Sequence, residues 1–238
     1  KDLPEILEYA KEKGLITLLN TNGTKLSNEI VSFIDRVSLS LDGPEDVNDN
    51  IRGKGSYQEV IDAINLCKET KVPASFTFVI NKRNINKVKD ILSIGKAYKT
   101  KVNFQPMLEK QLGMSTNAKS LPSKREVREV IQFLIEKKKK GAYVGNSLGG
   151  LKHFLTYPSG ELRGCISGKV YLRLSQNGHI QPCGSCKISS GLKISEIENS
   201  KIYNLLNRPE CKECWCSNLV ELNRIYNLEF DSIFNLLV

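Results

Sequence analysis

Cys165, Cys183, Cys186, Cys211, Cys214 and Cys216 fall in one stretch of the chain, and the seventh cysteine, Cys67, stands alone upstream. Cys183-x2-Cys186 and Cys211-x2-Cys214 are Cys-x-x-Cys turns. Such a turn brings two sulfurs within reach of one metal, and thiolates are the ligands of zinc and of iron–sulfur clusters. A disulfide framework is the competing use of crowded thiols. It is the weaker reading, because the first two-thirds of the chain carries only Cys67 and no secretory segment is expected. Acid–base and nucleophilic schemes that need a Ser–His or Cys–His pair have few candidates, since His153 and His179 are the only histidines.

Elements must carry these thiols, and the first half of the chain supplies an alternating series. Leu3–Lys13 has helical periodicity and stops at Gly14. Leu15–Leu19 reads as a buried strand, Ser27 opens a short helix ending near Ile34, and 36–41 is the next strand. Ser56-x-x-Glu59 is a capping-box pattern for a helix through about Thr70, and Ser123-x-x-Glu126 is another for a helix ending at Gly141. Ala74–Ile80 is a strand, Asn84–Tyr98 a helix, and Val102 starts a fourth strand. The spacing suits βαβ units, which predicts an α/β fold with a parallel sheet, open or curled into a partial barrel.

Each strand runs into polar residues: Asn20-Thr21-Asn22-Gly23, Ser40-Leu41-Asp42-Gly43, Asn81-Lys82-Arg83 and Gln105-Pro106. The C-terminal strand ends of a parallel sheet share one edge, and ligands bind there. Singly these are ordinary turn residues; four together predict a small-molecule rim.

The pattern changes after about residue 140. Gly145–Gly150 reads as a connector, lacking the Lys-Ser/Thr of a phosphate loop. Val170–Gln176 and His179–Gln181 flank an Asn-Gly hairpin turn. Ser195-x-x-Glu198 predicts a capped helix to about Asn207, and Asn218–Leu237 a single amphipathic helix. The expected domains are 1–140 and 141–238.

Net charge is +9, with a lysine run at Lys137–Lys140. That run reads as a solvated helix end, where lysine suits the helix dipole, and no aromatic-and-basic patch accompanies it, so no nucleic-acid partner is expected. No apolar run is long enough to span a bilayer, and the expectation is a cytoplasmic protein.

Two sets of residues resemble one superfamily. Thr21-Asn22-Gly23, Ser40-Leu41-Asp42-Gly43 and Asp49-Asn50-Ile51-Arg52-Gly53 resemble the core of radical S-adenosylmethionine enzymes. Cys165-x12-Gly178-x4-Cys183 followed by Cys211-x2-Cys214 resembles their SPASM or twitch extension. The resemblance implies a partial (β/α)6 TIM-like barrel followed by a small α+β domain. It implies a [4Fe–4S] cluster that reductively cleaves S-adenosylmethionine to a 5′-deoxyadenosyl radical, which takes a substrate hydrogen. It also implies a reductant such as flavodoxin or ferredoxin, and a peptide or small-molecule substrate. The Cys-x3-Cys-x2-Cys loop of that cluster is absent from these residues. The chain therefore reads as starting about two βα units late, as a fragment inactive alone.

By the same resemblance Thr21, Asn22, Ser40, Asp42 and Arg52 are expected at the cofactor, and Gln105 at the substrate. Cys165, Cys183, Cys211 and Cys214 are expected to hold one auxiliary [4Fe–4S] cluster, with Cys186 and Cys216 as extra or exchanging ligands. Cys67 shares a helical face with Ile61 and Ile64 and is expected in the core. Two rival readings remain. One is a non-catalytic zinc-ribbon module built on the two Cys-x-x-Cys knuckles. The other is a scaffold that binds a peptide or nucleotide without chemistry.

Overall fold

A computed structural model describes residues 2–108, 110–111, 114–115, 118–159, 162, 164–183, 192–196 and 214–237. By its internal contacts the chain divides into two compact units, 1–105 with 132–146, and 106–131 with 147–238.

The first unit opens with α1 (Leu3–Glu12), which has Pro4 in its first turn and Lys11 in its last. Gly14, at φ +71°, ends it. The first strand, β1, is Leu18–Thr21, three residues later than the apolar run predicts. Leu15, Ile16 and Leu18 are 59%, 78% and 67% exposed. A clamp sets this start. Thr17 donates its backbone N–H to Asp35 Oδ2 (2.7 Å) and its hydroxyl to the Phe33 carbonyl (2.6 Å). Thr17 is thereby tied to the turn ahead of the next strand, and the ladder begins with Leu18 opposite Arg36. β1 lies at the sheet edge, so its apolar residues lack a second strand to bury them.

Asp35 also accepts from Lys11 Nζ (2.7 Å), and together with the Thr17 bonds this holds its carboxyl down at about 2. A carboxylate with a depressed pKa stabilises the fold above its unfolded value near 3.8 and loses that contribution as pH falls toward 2. Chemical denaturation between pH 5 and 2 is expected to show a drop in midpoint over this window that Asp35→Asn makes smaller. An unchanged profile in Asp35→Asn would refute the clamp.

α2 (Asn28–Ser32) is capped by Ser27. β2 (Arg36–Ser40), α3 (Glu45–Arg52), α4 (Ser56–Glu69), β3 (Ala74–Ile80), α5 (Val88–Ala97) and β4 (Val102–Pro106) follow. The strands form one sheet in the order β1-β2-β3-β4, and the β1–β2 and β2–β3 pairs are parallel. The α/β expectation holds. Alternation sends Val37, Leu39, Phe76, Phe78, Ile80, Val102 and Phe104 to one fully buried face, where the Phe78 and Phe104 rings lie 5.5 Å apart. Burying each such side chain stabilises by about 1.5–3 kcal/mol. Cys67 is buried there with Ile61 and Ile64, as the helical face predicts.

The pattern Ser56-x-x-Glu59 does not close as a capping box. Ser56 is already the first residue of α4, and the carboxylate of Asp49 accepts from the N–H groups of Gly55 (2.6 Å) and Tyr57 (2.8 Å) and from Ser56 Oγ. Those bonds hold Asp49 below the usual carboxylate range. Glu59 turns instead to the Thr24 hydroxyl (2.9 Å).

Asn146 closes the first unit. Its side chain accepts from the Phe104 N–H (2.7 Å) and donates to the Phe104 carbonyl (3.0 Å), acting as a one-residue strand beside β4. In the second unit, a short hairpin of β5 (Lys110–Gln111) and β6 (Met114–Ser115) precedes α6 (Lys124–Lys139), whose C-terminal half belongs to the first unit. The Ser123–Glu126 box forms as predicted: the Ser123 N–H donates to Glu126 Oε2 (2.7 Å) and the Glu126 N–H to Ser123 Oγ (3.3 Å).

The expected Gly145–Gly150 connector is instead the start of a buried helix, α7 (Leu148–Phe154), capped by Ser147. Its glycines exist for close approach. A β-carbon on Gly149 would lie 1.7 Å from Arg224 Nη2, and one on Gly150 2.2 Å from Glu221 Oε1. The predicted hairpin is present as β7 (Arg173–Leu174) and β8 (His179–Gln181), and β9 (Leu192–Lys193) adds a third antiparallel strand. The helix predicted from Ser195-x-x-Glu198 to Asn207 lies outside the described residues.

The single C-terminal helix is in fact two, α8 (Ser217–Tyr226) and α9 (Phe230–Leu237). Leu228, at φ +58°, breaks the chain. The break folds Glu229 and Asp231 back onto Arg224 (2.6 and 2.8 Å), and Asp231 also receives the Gly149 N–H (2.6 Å). Periodicity reads through such a break because both halves remain amphipathic.

Candidate functional site

The C-terminal rim of the parallel sheet carries the predicted small-molecule residues. After β1, Thr21 Oγ1 accepts from the Gly23 N–H (3.1 Å) and Asn22 Oδ1 from the Thr24 N–H (3.3 Å). Thr21 and Asn22 therefore build their own turn. Gly23, at φ +91°, lets the turn press on α4: a β-carbon there would sit 3.0 Å from the Glu59 carbonyl oxygen.

After β2, Asp42 is 3% exposed. Its carboxylate accepts from Arg52 Nε (2.7 Å) and from the Val79 N–H (3.3 Å). Two residues expected to meet a cofactor thus meet each other. Arg52 uses only Nε here, and among the described residues its two Nη groups have no hydrogen-bond partner. Buried amides tie the neighbouring loops together. Asn48 Oδ1 accepts from the Asp42 N–H (2.9 Å), and Asn84 Nδ2 donates to the carbonyls of Asp42 (3.2 Å) and Val79 (3.0 Å).

The strand behind this rim has a second property. By the register, Asn20 pairs with Ser38, Ser38 with Ser75, and Ser40 with Thr77. These residues share the face opposite the aromatic core, and Ser38 Oγ and Thr77 Oγ1 are hydrogen-bonded at 2.6 Å. Alternation adds Asn103 and Gln105 of β4. One face of the sheet is therefore a band of hydroxyls and amides. Ser40, half-buried at the end of β2, keeps its hydroxyl free of partners among the described residues. Gln105 is buried at the end of β4. Sequence reasoning singled out the strand ends, Asn20 among them, and missed Ser38, Ser75, Thr77 and Asn103. Their period-2 alternation with Val, Leu and Phe was the available signal.

Such a face binds and orients a polar ligand. Of the ionisable pair at its rim, the Asp42 carboxylate is already engaged by Arg52 Nε.

The thiols belong to the second unit. Cys165, Cys183, Cys214 and Cys216 form no disulfide, and Cys214 is buried; Cys186 and Cys211 lie outside the described residues. Burial pushes the Cys214 thiol well up, and Cys216, Cys183 and Cys165 push it in the same direction. Cys216 is also raised by burial, against the N–H groups of Leu219 and Asn218 at the start of α8. Among the described residues no three such side chains stand at metal-holding positions.

The Cys214–Cys216 segment is pinned by a feature that the cysteine spacing did not reveal. His153 Nε2 donates to the Cys214 carbonyl (2.7 Å). The His153 ring stacks on Trp215 (5.2 Å, 27°), and Tyr157 meets the same indole edge-on (5.2 Å, 76°). The only tryptophan of the chain, placed between two cysteines, was the available signal.

The chain thus combines a parallel α/β sheet that has one polar face with a second, cysteine-containing unit. Residues 1–94 match the family model described as the Radical SAM superfamily. It is 30% identical over 147 residues to Fe-coproporphyrin III synthase of Methanosarcina barkeri, covering 59% of this chain and 37% of that protein. It is 24% identical over 237 residues to the mycofactocin maturase MftC of Mycolicibacterium smegmatis, covering 90% of this chain and 59% of that one. Its fold matches Streptococcus suis SuiB bound to the precursor peptide SuiA, with a TM-score of 0.64 at 15% identity over 85% of this chain and 50% of SuiB. The chain thus spans between 37% and 59% of the lengths of these proteins. The SuiB match bears out the TIM-like α/β expectation for the fold.

Proposed function

We propose that the whole protein is a radical S-adenosylmethionine oxidoreductase that modifies a peptide. Residues 1–140 form its radical SAM portion and residues 141–238 its auxiliary-cluster domain. The observation that carries the reading is the polar sheet face ending in Ser40, Asp42 and Arg52, because it offers ribose-matching hydroxyls and a guanidinium edge at one rim. Bound S-adenosylmethionine, reductively cleaved at a [4Fe–4S] cluster, supplies the radical that takes a substrate hydrogen.

The residues of this chain bind and orient. The Ser40 hydroxyl is available to a ribose oxygen, and Thr21 and Asn22 shape the turn beside it. Asp42 fixes Arg52 through Nε and leaves the Nη edge for the methionine carboxylate, where a planar fork suits two oxygens. Gln105 stands on the same face toward the substrate.

Cys165, Cys183, Cys211 and Cys214 hold one auxiliary cluster, with Cys186 or Cys216 as exchanging ligands. The absence of a disulfide at Cys165, Cys183, Cys214 and Cys216 and the His153–Trp215 clamp support this. Flavodoxin or ferredoxin is the reductant. No helix among the described residues is long and apolar enough to cross a membrane. A cytoplasmic location is part of the same proposal. The peptide substrate rests on the relatives: one is a maturase, and another was solved with a precursor peptide.

The whole protein, reduced anaerobically, is expected to release 5′-deoxyadenosine from S-adenosylmethionine. Absence of 5′-deoxyadenosine with the cluster demonstrably reduced leaves only the non-catalytic scaffold reading standing.

A further inference from the structure

We propose that the groove between α5 and the end of α6 docks an acidic amphipathic helix of a partner protein. The groove encloses about 460 Å³ and is lined by Lys89, Leu92, Ser93 and Lys96 from α5, and by Phe133, Lys137 and Lys140 with the turn Gly141–Tyr143. All of these residues lie in the first unit. On each side the lining residues recur at helical spacing over seven residues, a length of about 10 Å, or two turns of a third helix.

The floor and walls differ in chemistry. Leu92, Phe133, Ala142 and Tyr143 are half-buried and form an apolar floor, while all four lysines are exposed. Lys137 and Lys89 hold their ammonium groups 5.3 and 5.9 Å from the centre of the same Phe133 ring. Among the described residues none of the four lysines meets a carboxylate within ion-pair distance. The helix dipole accounts for lysine at helix C-termini, but Lys89 stands in the first turn of α5, where the dipole favours acids. Four unneutralised cations around an apolar slot are complementary to leucines flanked by glutamates, the helix-in-groove mode of recognition. A nucleic acid is a poorer fit, because the Phe133 face is covered by ammonium groups rather than open for base stacking.

The groove also lies apart from the polar rim. The carbonyl of Tyr143, one of its lining residues, accepts from the N–H of Val102, the first residue of β4 (2.8 Å), whereas Ser40, Asp42 and Gln105 mark the opposite strand ends. A partner seated here leaves the ligand face open, so the site serves recruitment rather than chemistry.

The probe is a fluorescein-labelled helical peptide with a leucine stripe flanked by glutamates, titrated into the whole protein and read by anisotropy. Binding is expected to weaken by at least about tenfold when salt rises from about 50 to about 500 mM. Lys89→Glu with Lys137→Glu is expected to cost a similar factor while leaving the melting temperature and S-adenosylmethionine binding unchanged. Exchanging the glutamates of the peptide for glutamine is expected to abolish the salt dependence. The proposal is overturned if the double variant binds the peptide as the parent does. It is equally overturned if single-stranded RNA or phosphatidylserine vesicles bind through these lysines and the peptide does not.

Discussion

Asp42→Ala is expected to cost the fold about 2–3 kcal/mol and to weaken S-adenosylmethionine binding by more than about tenfold. Asp42 is 3% exposed, and its carboxylate serves two donors, Arg52 Nε and the Val79 N–H. Its removal strands both. A buried pair broken on one side costs more, but Arg52 retains 27% of its side-chain exposure and recovers part of its hydration. The stability loss is read from denaturant midpoints and the affinity from calorimetry. Arg52→Lys separates the two effects. It keeps a positive charge beside Asp42 but loses the fork, so most of the stability survives while binding falls. If both variants bind the cofactor like the parent, the guanidinium has no part in holding it.

Cys214→Ala is expected to remove the auxiliary metal from the second unit. In protein reconstituted anaerobically with iron and sulfide, this cluster contributes about four iron atoms per chain when its four thiolates are present. The variant is expected to lose that iron together with its broad visible absorbance, and to melt earlier because metal binding contributes folding free energy. Cys67→Ala is the control. Its thiol is buried in the first unit beside Ile61 and Ile64, so it should lower stability and leave metal content untouched. Iron retained in full by Cys214→Ala would remove this residue from the ligand set. A parent protein holding one zinc and no iron would favour the zinc-ribbon reading.

Several features of the chain were legible one residue at a time, because their causes are local. Gly14 and Gly141 stop helices, Ser123 and Glu126 close a capping box, and Asn177-Gly178 turns a hairpin, each through the conformational freedom or hydrogen-bonding reach of its own residues. The alternation of aliphatic runs and helical patterns sufficed for a parallel α/β sheet. The rim residues and the crowding of the thiols were legible as well, since strand ends and cysteine spacing are written along the chain.

What escaped depended on partners far away in sequence. Leu15 and Ile16 look like strand core, yet Asp35 clamps Thr17 and moves the ladder to Leu18. Ser56 looks like a cap, yet Asp49 takes the place. Gly149 and Gly150 look like a connector until Arg224 and Glu221 are laid against them. Asp42 and Arg52 are separate candidates in the sequence and one ion pair in the fold.

The sequence by itself thus determined the class of fold, the rim and the stock of thiols, because propensity, period and spacing act over a few residues. Only the tertiary structure decided which polar residues share the sheet face, which carboxylate caps which helix, and that His153 clamps the segment between Cys214 and Cys216. Each of those outcomes is a competition for a hydrogen bond or a packing site among groups tens of residues apart, and a linear pattern does not contain its winner.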